Sequence, residues 1–328
     1  MGIMRHISEK GFKLPDLKRI AAEHAFGVTI ADVTPQAIET PVFAGSMLTM
    51  EVQPGLIVAA SDLVYLNDTP LASINEPAVS CGVLLEGDDE FMEVEGYGSI
   101  ARTRGRAAIK GFSRTTRLTL PSMRGHRSRA AGVLIRPTFF ERFGERIDDD
   151  GVAALREFAE TDFRYEYLPK SPKLCELARR CFDHPYNNQL GELFLESNAL
   201  AFIVEVAQML SHERRMVELL GRRHYDRVME ARSILDDSLV KPPTILELTR
   251  RVGVNLTTLQ ANFKLAFGTT IFGYVRTQRL EVARVLLIEH RLSISEAGYR
   301  VGFSSPSAFT AAYRRHFGHP PGRELRHE

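Results

Sequence analysis

The chain has 328 residues with 42 Lys and Arg against 41 Asp and Glu, 44% hydrophobic and 25% charged residues. That is enough for two ordinary globular domains with real cores, so the chain needs neither a metal nor a disulfide framework to fold. Three cysteines, Cys81, Cys175 and Cys181, are odd in number and lack metal-ligand spacing, which fits a reducing compartment and argues against a secreted scaffold. The opening MGIMRHISEKGF carries no apolar run of the signal-peptide kind, and His6 breaks a myristoylation pattern. The most apolar segment, Ala199–Leu210, is short and interrupted by Glu205, so a cytoplasmic protein with no membrane span is expected.

In chain order, the first 40 residues are mixed, with a helix expected over Leu14 to Ala25 on the spacing of Leu17, Ile20 and Ala21. From Val42 to Leu134 short apolar runs (Val42–Leu48, Gly55–Ala60, Val79–Leu85, Arg117–Leu120, Gly132–Ile135) are bounded by Gly, Pro, Asn and Asp, which predicts a β-rich domain. Ala59, Ser61, Leu63 and Tyr65 share one face of a strand. Between Gly96 and Phe140 stand ten Lys and Arg and no acidic residue. On a strand, Arg102, Arg104 and Arg106 would share a face able to hold an anionic ligand. The competing expectation is that the acidic stretch Glu86–Glu95 pairs with the basic one across a sheet.

After Pro137 the periodicity turns helical. Ser171 and Pro172 open one helix through Leu174, Leu177, Ala178 and Cys181. A longer one follows, with Leu190, Leu193, Phe194, Ser197, Leu200, Ala201, Val204 and Gln208 on its stripe. This pair reads as a connector or dimerisation element. The domain expectation is therefore 1–140 β-rich, 141–220 helical connector, 221–328 all-α, an α+β chain overall.

The last third contains a repeat. Val252-Gly253-Val254 returns as Val301-Gly302-Phe303, 49 positions on, and Phe263–Gly268 returns as Tyr313–Gly318, 50 positions on. The slip of one predicts a turn one residue longer in the second copy. Each copy reads as a short helix, a glycine turn and a second helix opened by an N-cap residue: Thr244–Arg251, Gly253 and Asn255, then Ser293–Arg300, Gly302 and Ser304 or Ser305. These are two helix-turn-helix units, about 244–267 and 293–317, joined by a helix over Phe272–Glu289 whose inner stripe is Leu280, Ala283, Leu286 and Leu287. Eighteen residues span about 27 Å, comparable with the roughly 34 Å between successive major grooves on one face of DNA. Residues 222–328 hold 17 Lys and Arg against 10 Asp and Glu, an excess of seven positive charges that suits a polyanion. The residues expected to face DNA are Asn255, Thr257, Thr258, Gln260 and Lys264 in the first unit. In the second they are Ser305, Ser307, Thr310 and Arg314. Gln, Thr and Ser would read base edges, and the cations would hold phosphate.

Tyr274, Arg279-Leu280 and Ala283, with Val301-Gly302-Phe303, Ser307, Phe309, Tyr313, Phe317-Gly318 and Pro321, resemble the AraC/XylS family of bacterial transcription regulators over about 222–328. The resemblance implies a DNA-binding domain of seven helices attached to a sensor domain, with promoter DNA, a small effector, RNA polymerase and a second copy of the chain as partners. Ala261 and Ala311 stand where the family commonly has Arg, so base contacts made by those arginines do not carry over. Pro320-Pro321-Gly322-Arg323-Glu324 lacks the usual Tyr-Arg, so a weaker last helix is expected. Pro54-Gly55-Leu56, Ser61-Asp62, Leu193–Leu200 and Phe272-Gly273-Tyr274 are similar to the pyochelin-type siderophore-responsive regulators. That narrower likeness implies activation by a ferric siderophore bound to the β-rich domain, without a resident cofactor or metal. An unrelated effector for a catabolic or stress pathway is the alternative.

The enzymatic reading is weaker. Cys81-Gly82 sits in an apolar run and reads as a buried strand residue rather than a nucleophile. His184, His212 and His224 are isolated. Three scattered cysteines cannot supply four zinc ligands, and no phosphate- or dinucleotide-binding glycine motif occurs.

Overall fold

The computed structural model describes residues 5–23, 28–31, 40–68, 70–121, 123–144, 151–288 and 290–326. The chain forms two compact units, Met1–His212 and Glu213–Glu328.

The first unit runs β1 (Arg5–Phe12), α1 (Leu14–Glu23), β2 (Val28–Ala31), β3 (Phe43–Gln53), β4 (Leu56–Tyr65), β5 (Leu71–Asn75), β6 (Ala78–Gly87), β7 (Glu90–Val94), β8 (Gly98–Arg102), β9 (Ala107–Phe112), β10 (Thr116–Leu120) and β11 (Arg127–Ile135). Then come α2 (Pro137–Phe140), α3 (Val152–Glu160), β12 (Arg164–Tyr167), α4 (Pro172–Arg180) and α5 (Asn188–Leu220). The strands make two antiparallel sheets, ordered β1-β3-β4-β11-β6-β9-β12 and β2-β5-β10-β7-β8. Helix α1 buries Leu17, Ile20 and Ala21 as the spacing predicts, and residues 24 and 25 lie outside the described residues.

Alternation along the central strands gives the large sheet two unlike faces. On one, Leu56 and Val58 of β4, Val79, Cys81 and Val83 of β6, Ile109 of β9 and Val133 and Ile135 of β11 pack against Phe158 of α3, Leu174 and Leu177 of α4, and Leu195, Phe202 and Val206 of α5. Burying each such side chain contributes roughly 1.5–3 kcal/mol. Residues 151–212, which lie within the stretch 141–220 read from sequence as a connector, therefore supply one wall of the first unit's core and its edge strand β12. Ser171 caps α4, accepting from the Leu174 amide at 3.2 Å.

Helix α5 departs from expectation in length and in phase. It spans 33 residues, long and apolar enough to cross a membrane by those criteria, and the unit boundary falls inside it. Its buried stripe is Leu195, Ala199, Phe202, Val206 and Leu210, whereas Leu190, Leu193 and Val204, assigned to the inner stripe from sequence, are exposed. The helix has apolar residues on two sides, and its packing against the sheet selects one of them.

The second unit contains α6 (Arg222–Asp237), α7 (Ile245–Val252), α8 (Leu256–Phe267), α9 (Ile271–Ile288), α10 (Ile294–Arg300) and α11 (Pro306–Phe317), then a 3-10 segment Pro321–Arg326. Two cores sit at opposite ends of α9. Ile271, Tyr274 and Val275 join Val228, Leu235, Leu248, Val252, Leu259 and Phe263. Leu280, Ala283 and Leu287 join Ala297, Val301, Phe309 and Tyr313. Glu289, expected to end the linking helix, lies outside the described residues. The C-terminal segment is held despite its unusual sequence: buried Glu324 accepts from the Tyr313 hydroxyl at 3.0 Å and pairs with Arg284 at 3.1 Å.

Candidate functional site

The two helix-turn-helix units are built alike. Thr244 and Glu247 form a capping box on α7, and Ser293 and Glu296 form its counterpart on α10. In each box the acid accepts from the cap's backbone amide and hydroxyl, which holds the Glu247 and Glu296 carboxyls below their ordinary range. Gly253 (φ 66°) and Gly302 (φ 88°) take the left-handed conformation the turns require. One residue separates Gly253 from the cap Asn255, and two separate Gly302 from the cap Ser305, so the second turn is longer by one.

Asn255 and Ser305 use their side-chain oxygens on their own helices, accepting from the amides of Thr258 at 2.8 Å and Ala308 at 3.2 Å. Both were expected to face DNA; their oxygens serve as caps. The other expected residues fall into matching stripes. Thr257, Gln260, Ala261 and Lys264 are exposed at helical spacing along α8. Ser307, Thr310, Ala311 and Arg314 take the same places along α11, with Thr310 half-buried and the rest exposed. Thr258 is half-buried and lies one position off the α8 stripe. Together with Pro306 and Arg315, the α11 stripe lines a concave surface. Sequence reading passed over Arg315, although the run Arg314-Arg315-His316 was its signal. Ala261 and Ala311, at the centre of each stripe, are exposed and leave the helix surface open where a long side chain would project.

Arg279 of α9 fastens the two units. Its guanidinium donates to the carbonyls of Leu239 at 2.7 Å and Val240 at 3.1 Å, ahead of α7, and of Gly302 at 3.0 Å in the second turn. A second knot joins α6 to α9: the Tyr274 hydroxyl donates to Asp236 at 2.7 Å and accepts from Arg232 at 2.9 Å. Burial drives the Tyr274 hydroxyl's pKa upward, keeping it the neutral donor this knot needs.

The first unit holds a cavity of about 290 Å³ against the second face of its large sheet. Its floor is a cross-strand row of small residues, Ala59, Gly132, Gly82 and Ala108, paired in that order on β4, β11, β6 and β9. Gly132 admits no side chain, because a Cβ there would lie 2.1 Å from the Cys81 carbonyl oxygen. Met92 of β7, Arg102 of β8 and Tyr165 of β12 complete the walls, with Lys110 of β9 among them.

The basic trio is split. Strand β8 ends at Arg102, so the three arginines do not share a strand face. Only Arg102 lines the cavity, paired with Glu90 at 3.4 Å. Arg104 is exposed, its backbone amide bonded to Asp89, and Arg106 stacks over Tyr167 at 4.4 Å. The pairing of acidic β7 with β8 meets the competing expectation in part, with Glu90 opposite Arg102. Cys81 is buried on the core face, and desolvation raises its thiol pKa far above the ordinary range. That environment disfavours the thiolate a nucleophile would need. Among the described residues no group of three or more His, Cys, Asp or Glu side chains is arranged to hold a metal ion.

Residues 44–220 match the family described as the regulatory protein PchR N-terminal domain, and residues 248–327 match a helix-turn-helix domain. The chain is 36% identical over 105 residues to the regulatory protein PchR of Pseudomonas aeruginosa, covering 31% of this chain and 36% of that one. It is 30% identical over 124 residues to the virulence regulon transcriptional activator VirF of Yersinia enterocolitica, covering 38% and 43%. These matches span less than half the length of either relative. A solved AraC-type DNA-binding protein from Chromobacterium violaceum is 33% identical over 30% of this chain and 89% of its own, with a TM-score of 0.30.

Proposed function

The chain belongs to the PchR-type branch of the AraC-type transcription regulators, and from that premise we propose that it activates transcription in response to a small effector held by its first unit, with a ferric siderophore as that effector. The observation that carries the DNA-reading part is the pair of equivalent stripes on α8 and α11, 50 residues apart in sequence and fixed to one linking helix. Thr257, Gln260, Ser307 and Thr310 meet base edges in two successive major grooves, and Lys264 and Arg314 meet phosphate. The effector-sensing part is supported by the cavity and by its one arginine. The ligand shifts DNA binding because it binds one arrangement of the protein better than another. Two chains associate on promoter DNA, where RNA polymerase is recruited.

Gln260→Ala and Thr310→Ala test the reading stripes. Each is expected to relax discrimination at one operator position by about 1–3 kcal/mol while leaving nonspecific affinity unchanged. Unaltered discrimination in both variants would remove these helices from base reading. Binding to the chain's own upstream DNA with iron-loaded siderophore tests the effector, and affinity indifferent to it favours the alternative of an unrelated catabolic or stress effector.

A further inference from the structure

The cavity's chemistry is more specific than its location. Its volume is just below the roughly 300–1,000 Å³ of small-molecule sites, and its floor is a bare row of Ala and Gly across four strands. Lys110 stands on this face between its cross-strand neighbours Ser80 and Tyr165. It is deep among protein atoms yet keeps accessible surface toward the cavity, and among the described residues it makes no hydrogen bond or ion pair. A cation so placed is costly unless something compensates it. Desolvation, reinforced by the nearby Arg102, pulls its pKa down to about 8, only partly opposed by Glu90.

Glu90 is the acid that bears on this cluster. Its side chain is 6% exposed, its Oε2 is 3.4 Å from Arg102, and among the described residues its Oε1 has no hydrogen-bond partner. Two cations therefore share one carboxylate. Among the described residues one positive charge is left unbalanced, in an otherwise apolar space that also offers the hydroxyls of Thr49, Ser61 and Ser80. The complement is a single negative charge on an apolar body. A doubly charged phosphate would overshoot the balance, and a neutral sugar would leave Lys110 uncompensated and the Ala and Gly floor without an apolar partner.

We propose that this cavity recognises one carboxylate carried on an apolar body, with Lys110 as the charge-selecting residue and Arg102 as its partner. The proposal rests on the reading of the first unit as the effector-sensing part and names what that part selects. The carboxylate belongs either to a small free acid or to a siderophore that keeps one free carboxyl group.

The test is direct binding to the full chain by calorimetry, using matched pairs: benzoate against benzamide, and octanoate against octanamide. The acids are expected to bind at least ten-fold more tightly than their amides. Lys110→Met is expected to weaken the acids by about 10–100-fold and leave the amides unchanged. Lys110→Gln repeats the comparison if the Met variant is poorly folded. Ala59→Phe, which fills the floor, is expected to abolish binding of both acid and amide. Equal binding of acid and amide, acid binding that survives the loss of Lys110, or no binding by any of the four compounds overturns the proposal. Competition with pyochelin, with and without iron(III), separates the sources: displacement of benzoate places the siderophore's carboxyl in this cavity, and its failure assigns the cavity to free acids. DNA binding is read separately in the same samples. Acid-selective binding with no change at the operator would sink the gating role alone, and an effector-responsive operator with a charge-blind cavity would sink this inference alone.

Discussion

Arg279 and Lys110 are both half-buried, to different ends. Arg279 satisfies three backbone carbonyls from two segments and so fixes the spacing of the two reading helices. Replacing it with Met keeps the bulk and leaves those carbonyls without their donor. Arg279→Met is expected to cost on the order of 2 kcal/mol in thermal unfolding. It should also weaken binding to a two-site operator at least ten-fold more than binding to a single half-site, as measured by titration of both DNAs. Equal losses on the two would mean that Arg279 only stabilises the fold. Lys110 has no such partners and its effect is visible in pH. Its folded pKa, about 8, lies below the ordinary 10.5, with Arg102, Glu90 and Tyr165 facing it. Between those values the unfolded chain binds more protons, so this group makes stability rise as pH increases from about 8 towards 10.5. Lys110→Met is expected to remove that rise and to be the more stable protein at pH 7. Denaturant titrations across pH 7–10 with the same slope in both proteins would contradict this.

The elements differ in how far the sequence declares them. The repeat, the glycine turns, the N-caps and the linking helix were legible, because caps and turns are set by a few neighbouring residues. β3, β4, β6, β10 and β11 were legible as apolar runs. β7 and β12 were not: β7 (EFMEV) reads as acidic and leaves Phe91 exposed, and β12 (RYEY) is four half-buried polar or aromatic residues. Lys110 was passed over because a lysine in a strand normally faces water, and only the pairing of β6, β9 and β12 turns it toward the cavity. The phase of α5 is not legible in its sequence because both of its sides carry apolar residues. Its exposed side carries Leu190, Leu193 and Val204, the stripe through which the proposed association of two chains would run. Leu190→Glu with Leu193→Glu is expected to yield a monomer in sedimentation while changing stability by less than about 0.5 kcal/mol. A variant that keeps its association would clear this stripe of the role.

At the scale of the whole chain the charge is divided unevenly along the sequence. Residues 222–328 carry the excess of 17 cationic over 10 acidic residues that makes DNA affinity a matter of released counterions. Lys264→Ala and Arg314→Ala are each expected to lower affinity on all sequences and to flatten the log affinity against log salt slope by about 1. The division also shows where sequence reading reaches its limit. The basic face of the second unit follows from local spacing, whereas the cavity of the first unit follows from small residues drawn from four strands. The most direct measurement is a footprint of the full chain on its own upstream DNA at fixed salt, with and without iron-loaded pyochelin. Two protected major-groove segments about 10 base pairs apart on one face of the duplex are expected, with protection that changes when the effector is added. A single protected segment, or none, would contradict the two-helix reading, and a footprint blind to the effector would contradict the proposed siderophore control.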